Sequence, residues 1–339
     1  MAFIHVPPAS PGTPRTGILL INLGTPETDD PSGVRRYLKE FLSDRRVIEA
    51  SPLIWQPVLR GVVLNVRPRK SAQAYRRAWD RERNDSPLRC ETRAQAQALS
   101  ARFDPAHVRV AFGMRYGTPS LAEAVESLLR EGCDRILAMP LYPQYSATTT
   151  ATANDQLFRY LMTLRCQPSL RTLPSFPDDP AYIEALAESV RSTLSGTETP
   201  PQKVVVSFHG LPLDYVRKGD PYERECERTA EALRQALGMT SEDMPLTYQS
   251  RFGPATWLGP STSATVAEFP GQGIKRIAVI TPGFISDCVE TLDEIGYELR
   301  EEFHAAGGEE LTLIPCLNAS VPAIDLLEKL ARRELAGWL

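Results

Sequence analysis

Nothing in the 339-residue chain pairs its cysteines. Cys90, Cys133, Cys166, Cys226, Cys288 and Cys316 are scattered, and none forms a C-x-x-C arrangement. That absence argues against a structural zinc or iron–sulfur site and leaves reduced thiols as the ordinary reading. No apolar run reaches the ~18 residues of a membrane-crossing helix. Basic residues are not in excess: 38 Lys and Arg stand against 42 Asp and Glu, a net charge of −4, so no nucleic-acid partner is expected. The opening stretch MAFIHVPPASPGTPRTG lacks a basic region followed by an apolar one. It reads as a loose leader rather than a secretion signal, and a cytoplasmic protein is the expectation. Histidine is scarce, with four in all.

What is present is strand alternating with helix. Eight segments read as strands: GILLINLG (17–24), HVRVAFGM (107–114), RILAMPLYP (135–143), SLRTLPSF (169–176), KVVVSFHG (203–210), PLTYQSRFG (245–253), KRIAVITPGF (275–284) and ELTLIPCLN (310–318). Most are short continuous apolar runs, the pattern of strands buried on both faces. Between them, SLAEAVESLLREG (120–132), AYIEALAESVRSTL (181–194) and YERECERTAEALRQALG (222–238) carry apolar residues at helical spacing. The fold class expected is α/β with parallel sheets.

The strands split four and four, and the halves resemble each other. GILLINLGTPET parallels KVVVSFHGLPLD, MRYGTPS parallels SRFGPAT, and GCDRILAMPLYPQYS parallels GIKRIAVITPGFIS, in the same order. Duplication implies two similar α/β domains facing each other across a cleft, with ligands at the carboxyl ends of the strands. The first half carries extra chain within about 35–90, apolar and aromatic but also rich in Arg60, Arg67, Arg69, Lys70, Arg76 and Arg77. A flat apolar ligand with carboxylates would suit it, as would a membrane surface or an ordinary solvated basic face. Composition leaves these open.

Two features depart from the repeat. His209 ends a strand where the other half has Leu23, and a histidine there is a candidate base or metal ligand. In SDCVETLDEIGYEL (286–299), Asp287, Glu290, Glu294 and Glu298 fall 3, 4 and 4 apart, one stripe on an α-helix. Glu298 reads as solvated, whereas Asp287 and Glu290 suit a metal or proton role. One His and one Glu make a sparse site, suited to a metal that must be released. Arg115 and Arg251 head the repeated R-Y/F-G motifs. The glycines of GQGIKRIAV precede a strand, so they are not a dinucleotide fingerprint.

GILLINLGTPET, FLSDRRVI, AYRRAW, MRYGTPS, YPQYSATTT, SFHGLP, KGDPY, QSRFGPATWLGPST, PGFISDCVETLDEI and LNAS run in order along nearly the whole chain. Together they resemble the ferrochelatase family, whose members insert ferrous iron into protoporphyrin to make protoheme. The resemblance implies two pseudo-symmetric Rossmann-like domains with porphyrin in the cleft. They would span 1–176, with an active-site lip at 35–90, and 177–316, with a helix at 317–339 packing back on the first. It implies that His209 and Glu290 bind the metal or take the pyrrole protons. Asp287 would be catalytic beside them, Glu294 would lie on a proton or metal path, and Arg115, Tyr116 and Trp257 would line the porphyrin. Ferrous iron would be a substrate, no tightly bound cofactor and no iron–sulfur cluster are expected, and the lip would meet the membrane at its inner face. The YPQYS motif favours protoporphyrin over coproporphyrin. A coproporphyrin enzyme, a tetrapyrrole or metal carrier and a sirohydrochlorin chelatase are the alternatives. The last commonly uses paired histidines, and this chain offers one at the relevant strand end.

Overall fold

The structure is a computed structural model that describes Ile4 and residues 15–339; most of the stretch read as a leader lies outside the described residues. The chain divides into two compact units, Met1–Tyr142 with Ala147–Pro174 and Ala319–Leu339, and Pro143–Ser146 with Ser175–Asn318.

In the first unit, β1 (Arg15–Gly24) leads to α1 (Pro31–Ser43) and α2 (Pro52–Val58). A π-helical turn, Leu59–Val63, joins α2 to α3 (Leu64–Ala78), and α4 (Pro87–Ser100) follows. Then come β2 (Val108–Tyr116), α5 (Leu121–Arg130) and β3 (Cys133–Pro140). A second π-helical turn, Ala147–Ala151, runs into α6 (Thr152–Leu161), and β4 (Ser169–Thr172) closes the sheet. The second unit holds α7 (Pro180–Ser195), β5 (Lys203–His209), α8 (Leu213–Arg217), α9 (Tyr222–Leu237) and β6 (Leu246–Gln249). It continues with α10 (Thr262–Glu268), β7 (Arg276–Ile280), a ten-residue π-helix Glu290–Leu299, α11 (Arg300–Ala305) and β8 (Glu310–Leu313). The final helix, α12 (Val321–Glu334), packs on α4 and β3.

Each unit has one four-stranded parallel sheet, ordered β2-β1-β3-β4 and β6-β5-β7-β8. The orders correspond position for position, as the internal repeat predicts. The central strands are the core: Ile18 to Ile21 of β1 are fully buried, as are Val205, Val206 and Phe208 of β5. Helices cover both faces, so the apolar runs need no polar alternation.

All eight expected strands form, but β3, β4, β6, β7 and β8 stop earlier than the apolar pattern suggests. Beyond those ends, Leu141, Phe176 and Ile314 are at most 3% exposed without belonging to a strand. They are apolar because they pack at the carboxyl end of a sheet, not because they pair. The 35–90 insertion forms α1 to α3 and the approach to α4. There Leu59 and Leu64 are buried, while Leu53, Ile54, Val62 and Val66 are 88%, 70%, 58% and 70% exposed.

Candidate active site

β5 delivers His209 to the carboxyl end of its sheet, where it is partly exposed and pairs in register with Gln249 of β6. Its Nδ1 lies 2.7 Å from the Gly210 carbonyl oxygen. A carbonyl only accepts, so Nδ1 carries a proton, and Nε2 is the ring nitrogen left for other partners. Gly210 cannot be larger without movement. A Cβ there would lie 2.7 Å from the Gln249 carbonyl oxygen and 3.2 Å from Trp257 Cε3. Trp257 is fixed in turn: its indole N–H donates to the Phe252 carbonyl at 3.0 Å, and its ring meets Phe252 edge-on. Trp257 thus stands beside the histidine loop.

The acidic stretch departs from the expected α-helical stripe. The helix there is π, and it begins at Glu290, so Asp287 precedes it. Asp287 is buried and fully engaged. Its Oδ1 accepts from Thr291 Oγ1 at 2.8 Å and its Oδ2 from Asn318 Nδ2 at 2.7 Å, while its own N–H donates to Asn318 Oδ1 at 2.8 Å. A carboxylate ahead of a helix competes for local donors, and here it wins them. The expected stripe of four is therefore Glu290, Glu294 and the exposed Glu298, with Asp287 acting as a loop anchor.

Two residues absent from the sequence-based candidates hold this segment. Gln249 Nε2 donates to the Glu290 carbonyl at 2.9 Å, and its Oε1 accepts from Ser207 at 2.8 Å. Ser250 takes a left-handed backbone (φ 61°) and binds Glu294 twice, through its N–H at 2.8 Å and its hydroxyl at 2.5 Å. Burial pushes the Glu294 carboxyl above its usual range, and the Ser250 hydroxyl and the His209 charge pull it back while Glu290 adds to the rise. His209 and Glu290 therefore both act on Glu294 electrostatically. Beside Glu294, a cavity of about 210 Å³ is lined by Ser250, Arg251, Ser261, Glu298 and Glu302. Ser250 lies in the motif QSRFG, but only the left-handed turn reveals that it clamps Glu294.

In the first unit, Arg115 and Tyr116 end β2 and are 8% and 0% exposed. The Asp44 Oδ2 oxygen accepts from the Arg115 guanidinium, the Tyr116 hydroxyl (2.8 Å) and the Thr152 hydroxyl. Arg115 Nε also donates to Thr152 Oγ1 at 2.7 Å, and its guanidinium lies 4.2 Å over the Tyr116 ring. Burial would raise the Asp44 carboxyl, but hydrogen bonds from Thr152, the Arg46 N–H and Tyr116, with the Arg115 charge, hold it below the usual carboxylate range. Asp44 sits within the motif FLSDRRVI, and its role emerges only from this network. Arg251, the repeat counterpart of Arg115, is exposed and donates instead to the Leu258 carbonyl at 2.9 Å.

Among the described residues, no three His, Cys, Asp or Glu side chains gather closely enough to hold a metal ion. The second unit therefore offers an imidazole, its Nδ1 engaged by a carbonyl, together with the carboxylates of Glu290 and Glu294, an arrangement able to take protons and to hold a cation briefly.

The profile of the family described as Ferrochelatase matches residues 15–335. A Ferrochelatase of Gluconobacter oxydans (strain 621H) is 61% identical over 340 residues, covering 100% of this chain and 99% of that protein. A Ferrochelatase of Rhizobium etli is 53% identical over 326 residues, covering 96% and 95%. Among solved structures, SirB from Bacillus subtilis with Fe3+ superposes with a TM-score of 0.56 at 12% identity, over 95% of this chain and 96% of that one. That likeness speaks to the fold alone.

Proposed function

The chain belongs to the ferrochelatase family, and from that premise we propose that it inserts ferrous iron into protoporphyrin IX, releasing two protons and forming protoheme, the terminal step of heme biosynthesis. The observation that carries the site assignment is the His209 tautomer set by the Gly210 carbonyl. A free porphyrin holds two pyrrole N–H groups, and a metal cannot enter until they are lost. His209 Nε2 is the base for them, with Glu290 beside it and Glu294 passing protons or metal toward solvent. Ferrous iron is a substrate held only in passing by His209 and Glu290. Asp287 serves this chemistry by fixing the start of the π-helix. Trp257 contacts the macrocycle, and Arg115 and Tyr116 shape its surroundings on the first unit from their buried network.

No resident cofactor or iron–sulfur cluster enters this reading. It places the protein in the cytoplasm, with the lip meeting the inner face of the membrane. No helix among the described residues is long and apolar enough to cross one. Imidazole and carboxylate accept cobalt and zinc as well as iron, so insertion of zinc and cobalt in vitro is expected; metallation by iron alone would defeat that expectation.

The experiment is anaerobic. Purified protein is mixed with ferrous iron and protoporphyrin, and loss of free-porphyrin fluorescence is followed, with coproporphyrin and His209→Ala in parallel. Turnover with protoporphyrin, abolished in the variant, is the expected result. Tight binding without turnover would indicate a carrier, and faster turnover of coproporphyrin would change the substrate.

A further inference from the structure

The first unit buries oxygens that have no hydrogen-bond partner among the described residues. Thr150 is 5% exposed and its Oγ1 has no hydrogen-bond partner; Asn154 Oδ1 and the Tyr142 hydroxyl are buried and equally unpartnered. A buried hydroxyl or amide oxygen left so bears its full desolvation penalty, and three such oxygens call for an explanation. Tyr142 belongs to the same apolar cluster as Ala153 and Leu157, which flank Asn154 on its own helix.

The internal repeat supplies the context. β3 and β7 hold the same place in their sheets, and each leads through a matched stretch to a buried serine, Ser146 or Ser286, and then to π-helical backbone. Counted from those serines, Thr150 stands where the second unit has Glu290, and Asn154 stands where it has Glu294. The two carboxylate positions are thus neutral in the first unit. Residues four apart on a helix share a face with their Cβ atoms about 5–6 Å apart, a gap that one water spans. A buried water makes about three hydrogen bonds to groups otherwise unsatisfied.

We propose that Thr150 and Asn154, with the Tyr142 hydroxyl, hold ordered water in the first unit, a neutral counterpart of the Glu290–Glu294 pair. Thr150 and Asn154 carry no charge at any ordinary pH, so the site binds water without drawing a cation and without titrating. Its effect is on position. Thr152 lies between the two residues and bonds both Asp44 and Arg115, so water that fixes this turn also fixes that network. This inference does not depend on the reaction assigned above.

The test is a crystal structure of the full chain at a resolution that shows waters, from crystals grown with and without manganese. Water density within hydrogen-bond distance of both Thr150 Oγ1 and Asn154 Oδ1, with no anomalous signal, is the expected result. A dry cavity, or an anomalous peak marking a cation, overturns the proposal. Thr150→Val supplies a second readout in solution. It keeps the shape and removes the hydroxyl, so the melting temperature should fall by about 2 °C or more. A rise would mean that the hydroxyl had been an orphan, and would overturn the proposal too.

Discussion

Gly210 decides more than its size suggests, because the carbonyl it contributes sets the proton on His209. A Cβ at this position meets a backbone oxygen and the Trp257 ring, both held by other bonds. In Gly210→Ala the loop must move, and the imidazole moves with it. Displacement near 1 Å at a reacting group costs up to about 100-fold, so kcat for iron insertion should fall about 10- to 100-fold while the melting temperature changes little. An unchanged kcat would remove the Gly210 carbonyl from the mechanism. Glu294 can be tested through pH. Its carboxyl is raised in the folded state, so the stability tied to its protonated form is complete below the ordinary value of 4.5 and lost as pH rises through the folded value. Glu294→Gln should therefore gain on the native protein in urea midpoint at neutral pH and show no gain in acid. Equal differences at both would deny the shift. At this scale the sequence was legible for identity but not for state. His209, Glu290 and Glu294 stood out by position, whereas the His209 ring's contact depends on the local turn at Gly210, and the Ser250 clamp and the Asp44 hub depend on hydrogen bonds between segments far apart in the chain.

Among elements, the strands were readable because burial on both faces demands unbroken apolar runs. Their ends were not, since loops at the carboxyl end of a sheet are buried too. The helix after β7 was read as α from its carboxylate spacing, and it is π with Asp287 outside it. Nothing in the local residue types distinguishes the two, because Gln249 binds the Glu290 carbonyl from another strand. Asp287 anchors the approach to that helix, and its removal should be felt there. Asp287→Ala removes the carboxylate that accepts from the Thr291 hydroxyl and the Asn318 amide, a loss of about 1–3 kcal/mol. The urea midpoint should drop accordingly, and Asp287→Asn should restore part of it. A neutral alanine variant would show that the anchor is dispensable. The network at the end of β2 makes an opposite prediction to Glu294. The Asp44 carboxyl is lowered on folding, so its contribution is present above the ordinary value of 3.8 and lost as pH falls below it. Asp44→Asn should flatten the acid limb of the stability curve below that pH.

For the molecule as a whole, the duplicated sheet order was visible in the repeated motifs, and the family resemblance extended along almost the entire chain. What composition left undecided was the lip, and exposure now separates its faces. Leu53, Ile54, Val62 and Val66 stand largely in solvent, while Arg60, Arg69 and Lys70 on the same segment are exposed as well. An apolar face bordered by cations is what an anionic bilayer surface binds. Each aliphatic side chain buried in the headgroup region contributes up to about 1.5–3 kcal/mol, and each cation near the surface adds about 1 kcal/mol that salt screens. Full-length protein should therefore co-sediment with vesicles containing phosphatidylserine and less with phosphatidylcholine alone, and added salt should weaken the binding. Ile54→Glu with Val62→Glu should leave the protein in the supernatant, with circular dichroism and melting temperature unchanged, because neither side chain is buried. Equal sedimentation of native and doubly substituted protein would take the membrane away from this face. The exposed aliphatic residues would then be left to contact with the macrocycle.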